Sequence, residues 1–222
     1  MSFFAKEVVE KGEFDLTGAG YGALVAIMIV ILLLGCIISN PDGKKKLSAK
    51  QLVFSAMAMA LAMVTSIIKL IDMPMGGSVT LCSMLFICLI GYMYGLRTGL
   101  TAAMAYGILQ LVSNPYIISI PQMLTDYLFA FGALGLAGIF AKSKNGLVKG
   151  YLVGVIGRFF FTFLSGMIFF GSYGADYGMS APVYSLVYNG AYLGAEALIT
   201  VIILVLPPVS KGLNRVKVMA NE

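Results

Sequence analysis

The 222-residue chain has no histidine and no tryptophan, and only three cysteines. Without histidine there is no imidazole base for a Ser/His/Asp set and no imidazole ligand for zinc. Cys36, Cys82 and Cys88 lie in apolar stretches without metal-ligand spacing, so they read as small packing residues. No phosphate-binding glycine loop or zinc motif occurs either. These gaps argue against a hydrolytic enzyme, and the chain is read as a non-enzyme. Bilayer interfaces commonly use tryptophan, a place that the 12 tyrosines here can take. Charge is scarce too: 11% of residues are charged against 59% hydrophobic, with a mean hydropathy of +0.93. Such a composition falls outside the soluble range.

What fills the chain is apolar sequence. Seven spans are visible, at about 19–39, 51–71, 79–96, 98–113, 121–141, 147–171 and 183–206. Most approach the ~20 residues that cross ~30 Å of hydrocarbon as helix, and 98–113 is short. The expected fold class is all-α: a polytopic membrane helical bundle, with a six-helix core over 47–222 and one extra N-terminal transmembrane helix within 1–46. That extra span follows an acidic stretch (Glu7, Glu10, Glu13, Asp15), which does not suit a signal peptide. A polar linker from Asn40 to Lys46 separates it from the core.

Basic residues orient the bundle. Lys44, Lys45, Lys46 and Lys50 follow the first span, and Arg97 lies between the third and fourth. Lys142, Lys144 and Lys149 lie between the fifth and sixth, and Lys211, Arg215 and Lys217 follow the last. The alternate loops carry almost no cations, so the positive-inside rule predicts a plasma-membrane protein with its N-terminus outside and its C-terminus in the cytoplasm. The same bias accounts for the net charge of +5, which is therefore no nucleic-acid signal.

Asp126 is a lone carboxylate in an apolar segment, where an acid costs roughly 2.5–3.5 kcal/mol on insertion scales. Its default reading is functional: a partner, a cation or a polar ligand. It sits about five residues into its helix from the outer side, at most ~8 Å deep. Tyr127 beside it faces elsewhere on the helix, yet can reach a pocket edge. In the sixth span Thr162, Gly166 and Phe170 recur every four residues and form one stripe of hydroxyl, gap and aromatic plate. Tyr184 and Asn189 lie near the outer end of the seventh, and an amide can both donate to and accept from a ring edge. Together these residues predict a bilayer pocket for a small, cationic, aromatic solute. The turn 72–78, with Pro74, Gly76 and Gly77, approaches the ligand, acts as a hinge, or is a plain tight turn. The 114–121 loop is expected to pack over the outer mouth.

Arg158 and Glu196 fall deeper, toward mid-membrane, and are predicted to form a structural ion pair. In the second span Ala56 and Ala60 share a helical face, as do Ala58 and Ala62. Small residues at this spacing serve either internal packing or docking of another membrane subunit.

From about residue 51 onward the chain resembles the thiamine-type substrate-binding S components of energy-coupling factor (ECF) vitamin transporters. The resemblance rests on the alanine-rich second span with Ala56 and Ala60, on Gly95–Ala102, and on Ile118–Leu128 around Asp126. It continues through Phe160–Phe163 with Gly166 and Phe170, then Tyr184–Leu186 and Asn189. It implies six helices that bind a vitamin-like ligand from outside, embedded in the lipid bilayer. ATP would be used only by two partner ATPases, carried on a transmembrane coupling subunit that is met through Ala56 and Ala60. Asp126, Tyr127, Thr162, Tyr184 and Asn189 become the polar side of the substrate site, with Gly166 and Phe170 its stacking wall. The family's usual Glu is Asp126 here, its stacking Trp is Phe170, its His is Thr162, and its first-loop Trp has no counterpart near Gly76. The ligand implied is thus thiamine, a precursor, or a related heteroaromatic compound. Two rivals stand beside this reading. One is an ion-coupled secondary transporter using Asp126 and Glu196; the other is a membrane scaffold or sensor.

Overall fold

A computed structural model describes residues 5–8, 13–17, 19, 48–113 and 115–222. The expected accessory helix over 19–39, its linker and Cys36 lie, but for residue 19, outside these described residues. Before them, Ala5–Val8 (β1) and Glu13–Leu16 (β2) pair antiparallel, Lys6 opposite Asp15.

Helix α1, Ala49–Ile67, opens on a capping box. The Gln51 amide donates to Ser48 Oγ (3.1 Å) and the Ser48 amide to Gln51 Oε1 (3.3 Å), so two end donors are satisfied reciprocally. A hairpin follows, Lys69–Asp72 (β3) against Ser78–Thr80 (β4). Next come α2 (Ser83–Tyr94), α3 (Leu96–Ser113), α4 (Ile120–Phe140), α5 (Gly146–Phe169), α6 (Ala181–Val205) and α7 (Pro207–Asn221). Of these, α1, α4, α5 and α6 are long and apolar enough to cross a membrane, and α2 is a shorter apolar helix. Their outer faces are what lipid requires: on α5, Leu152, Ile156 and Phe160 form an exposed apolar stripe at four-residue spacing.

The six expected core helices are thus present, with changed ends. Residues 69–71 and 79–80, expected as helix, belong to the hairpin. The turn expected at 72–78 is its tip, where Met75 (φ +62°) and Gly76 (φ +84°) lie in the left-handed region. The added helix α7 was not among the expected spans.

Two kinds of contact hold the core. The first is close approach of backbones. A Cβ on Gly99 would lie 2.7 Å from Gly91 Cα and 2.8 Å from the Gly135 carbonyl, so α2, α3 and α4 touch where only glycine fits.

The second is polar. Helix α2 starts at Cys82 (φ +58°), whose side chain makes no capping bond. Glu196, buried in α6, supplies the acceptors instead. Its Oε2 accepts from the Thr80 amide (2.9 Å) and hydroxyl (2.7 Å), and its Oε1 from the Met84 amide (3.3 Å) and Ser83 hydroxyl (3.4 Å). A carboxylate at a helix N-terminus also faces the positive end of the helix dipole. This overturns the expected Arg158–Glu196 ion pair. Among the described residues the single salt bridge is Lys69–Asp72 (3.1 Å), and the Arg158 guanidinium lies 4.0 Å over the Phe131 ring. Opposite charge and similar depth suggested the pair, but uncapped amides claimed the carboxylate first.

Glu196→Ala should therefore lower stability by about 1–3 kcal/mol for each amide left unpaired. Thermal unfolding in detergent checks this against Leu198→Ala on the exposed face; equal melting temperatures would refute the cap.

Candidate functional site

A cavity of about 490 Å³ opens between the β3–β4 hairpin, α3, α4, α5 and α6. The hairpin tip is latched to α6 by two tyrosines. The Gly77 amide donates to Tyr188 Oη (2.9 Å), the Tyr188 hydroxyl donates to the Pro74 carbonyl, and the Tyr184 hydroxyl to Met75 Sδ (2.9 Å). A Cβ on Gly77 would meet the Tyr188 hydroxyl at 2.5 Å, which is why glycine stands there.

Asp126 lies in a wide π-helical turn, Leu124–Phe129, within α4. Such turns insert an extra residue and redirect side chains, and they concentrate at functional sites. Gln122 Nε2 donates to the Asp126 carboxylate Oδ2 (2.7 Å). Gln122 is buried and also holds the preceding loop: it donates to the Tyr116 carbonyl (3.2 Å) and accepts from the Ile118 amide (3.2 Å). Tyr127 accepts from the Tyr116 amide (2.8 Å). The loop is thereby fixed against the wall that carries Asp126, with Tyr116 lining the cavity.

On α5 and α6 most polar groups are already engaged. The Thr162 hydroxyl donates to the Phe159 carbonyl (3.1 Å) of its own helix. Asn189 Nδ2 donates to the carbonyls of Thr162 (3.2 Å) and Ser185 (3.0 Å), and its Oδ1 accepts from Tyr192 (3.1 Å). Gly166 admits this cluster, since a Cβ there would strike Ser185 Oγ and lie 2.9 Å from Asn189 Nδ2. The gap read from the stripe is therefore filled by α6. Phe170 stacks on Tyr116 (5.9 Å, 29°) and on Tyr173 (6.2 Å, 28°).

Asp126, Tyr127, Thr162, Gly166, Phe170, Tyr184 and Asn189 all line this one cavity. Ala56 and Ala60 do not. They are exposed on α1, while Ala58 and Ala62 face inward and are buried.

Several lining residues escaped the sequence reading. Tyr188 and Tyr192 continue from Tyr184 at four-residue spacing, with successive ring centroids 5.7 Å apart. That spacing was visible and could have found them. Arg158 also lines the cavity, with a buried Nε that has no hydrogen-bond partner. The chamber thus offers a carboxylate, a guanidinium and stacked rings. Among the described residues no cluster of three or more His, Cys, Asp or Glu side chains could hold a metal. The arrangement suits capture of a flat polar solute rather than bond making.

Known proteins share this sequence pattern and this fold. The model of a family described as "Thiamine transporter protein" matches residues 52–214. The thiamine transporter ThiT of Bacillus subtilis (strain 168) is 32% identical over 172 residues, 70% of this chain and 88% of that protein. ThiT of Lacticaseibacillus paracasei is 28% identical over 126 residues, 49% of this chain and 62% of the relative. The solved structure of ThiT from Listeria monocytogenes superposes with a TM-score of 0.59 at 24% identity, covering 71% of this chain and 94% of that one, and it shares the fold. The expected non-enzymatic, membrane-embedded transport protein is what these relatives show, and the chain belongs to the thiamine transporter protein family.

Proposed function

We propose that this chain is the high-affinity substrate-binding membrane subunit of an ECF-type, ATP-driven vitamin importer, with thiamine or a closely related heteroaromatic compound as ligand. The observation that carries the reading is one chamber in which the Asp126 carboxylate meets the aromatic walls of Phe170, Tyr184, Tyr188 and Tyr192. Thiamine joins a cationic thiazolium to an aminopyrimidine. A carboxylate attracts the first, or accepts a hydrogen bond from the second, and stacked rings hold either plane. Family membership supports the same ligand.

ATP would be hydrolysed by two partner ATPases and transmitted through a transmembrane coupling subunit. Ala56 and Ala60 support that assignment, because a small-residue pair left exposed on α1 lets a second helix approach closely. The cytoplasmic side is assigned to the end rich in exposed cations, away from the hairpin. The ion-coupled alternative loses a component: Glu196, its second carboxylate, is committed to capping α2.

Calorimetric titration of the purified chain with thiamine, without ATP or an ion gradient, should give tight binding. Absence of binding, combined with gradient-driven uptake by the chain alone in liposomes, would overturn the reading. Asp126→Asn should weaken thiamine binding at least tenfold, about 1.4 kcal/mol; unchanged affinity would remove Asp126 from the site. Ala56→Leu and Ala60→Leu should leave binding intact and depress uptake by the assembled transporter. Loss of binding in these variants would mean that the alanines pack the bundle instead.

A further inference from the structure

Helix α7 has one face fixed to the bundle. Ala220 is buried, and the Lys217 ammonium lies 3.5 Å from the Tyr92 ring centroid while donating to the Ala141 carbonyl. Tyr92 Oη donates to Asn214 Oδ1 (3.3 Å), and Asn221 Nδ2 to the Met93 carbonyl (3.4 Å). These contacts seat α7 across the end of α2 and the α4–α5 loop, at the end of the bundle opposite the hairpin. The helix follows α6 directly, so it begins where that apolar helix ends.

The opposite face is Lys211, Arg215, Val218 and Met219, all exposed, the two apolar residues at 55% and 54%. At 100° per residue these four fall within about one third of the helix circumference. A helix face that carries cations beside exposed apolar groups can meet lipid headgroups and acyl chains together at a membrane interface. The surroundings reinforce it. Lys50, Arg97, Lys142, Lys144 and Lys149 are exposed at the same end, and of the acids within residues 48–222 (Asp72, Asp126, Asp176, Glu196 and Glu222) Glu222 alone lies there. A surface so one-sided in charge complements an anionic leaflet.

We propose that α7 is an interfacial helix that binds anionic phospholipid headgroups through Lys211 and Arg215, with Val218 and Met219 seated among the adjoining acyl chains. The helix then anchors the cation-rich end of the bundle in the headgroup layer, independently of what the cavity holds.

Native mass spectrometry of the full chain released from phosphatidylcholine nanodiscs containing about one third phosphatidylglycerol tests this. The wild type should retain phosphatidylglycerol in preference to phosphatidylcholine. Lys211→Gln/Arg215→Gln should reduce that preference about 25-fold, from about fivefold per cation near an anionic surface. Equal retention of the two lipids by the wild type, or an unchanged preference in the double variant, would overturn the proposal. So would a double variant that keeps its lipid preference but no longer co-purifies with a coupling subunit, since the face would then dock protein. Helicity by circular dichroism and thiamine affinity should match wild type in the double variant, because neither residue lines the cavity. A second variant, Val218→Ser/Met219→Ser, should retain less of both lipids. The lipid readout needs no ligand, so its failure is separate from failure of the thiamine reading.

Discussion

The Glu196 carboxylate is the interaction on which the rest of the site depends. Within a bilayer, a backbone amide that loses its partner has no water to replace it. The chain nevertheless breaks from strand to helix at Thr80–Met84, through a left-handed Cys82 whose side chain caps nothing. Glu196 resolves the break from more than 110 residues away, taking bonds from the strand and from the first turn of α2. By doing so it fixes the hairpin against α6. Tyr184 and Tyr188, on that same helix, can then grip the hairpin tip over the cavity.

Polar groups around the chamber divide by how fully they are engaged. Asn189, Ser185 and Thr162 tie α5 to α6 with hydrogen bonds among themselves and to carbonyls. A network so satisfied rigidifies a wall and leaves few bonds to offer a solute. Asp126 and Arg158 differ. The carboxylate holds one amide, from Gln122, and the guanidinium stacks on Phe131 with its Nε unbonded. Capacity for a ligand is therefore concentrated on α4 and α5, while α6 contributes rings.

Much of this was legible in the chain because the signals were expensive or periodic. An acid in an apolar span announces itself by its insertion cost, and Asp126 was found that way. Four-residue spacing identified the Thr162–Gly166–Phe170 stripe and the Ala56–Ala60 face. Other features left no such mark. Leu70, Ile71 and Val79 are apolar enough to pass for the ends of spans, so the hairpin hid inside two helices. The π turn around Asp126 has no residue signature of its own. Helix α7 is too polar to register as a span. Glu196 was noticed but mispaired, because charge and depth say nothing about which backbone amides lack an acceptor.

The missing tryptophan has a structural consequence. A single large indole would supply a stacking plate from one position. Here the plates are assembled from smaller rings in series: Tyr116 on Phe170 on Tyr173, and Tyr184 on Tyr188 beside Tyr192. Tyrosine carries a hydroxyl that needs a partner when buried, and those of Tyr184 and Tyr188 find theirs on the hairpin. The surface that would stack on a heterocycle and the latch that holds the cover are therefore the same two side chains. A solute stacked on those rings would touch the same side chains that hold Met75, Pro74 and Gly77 in place.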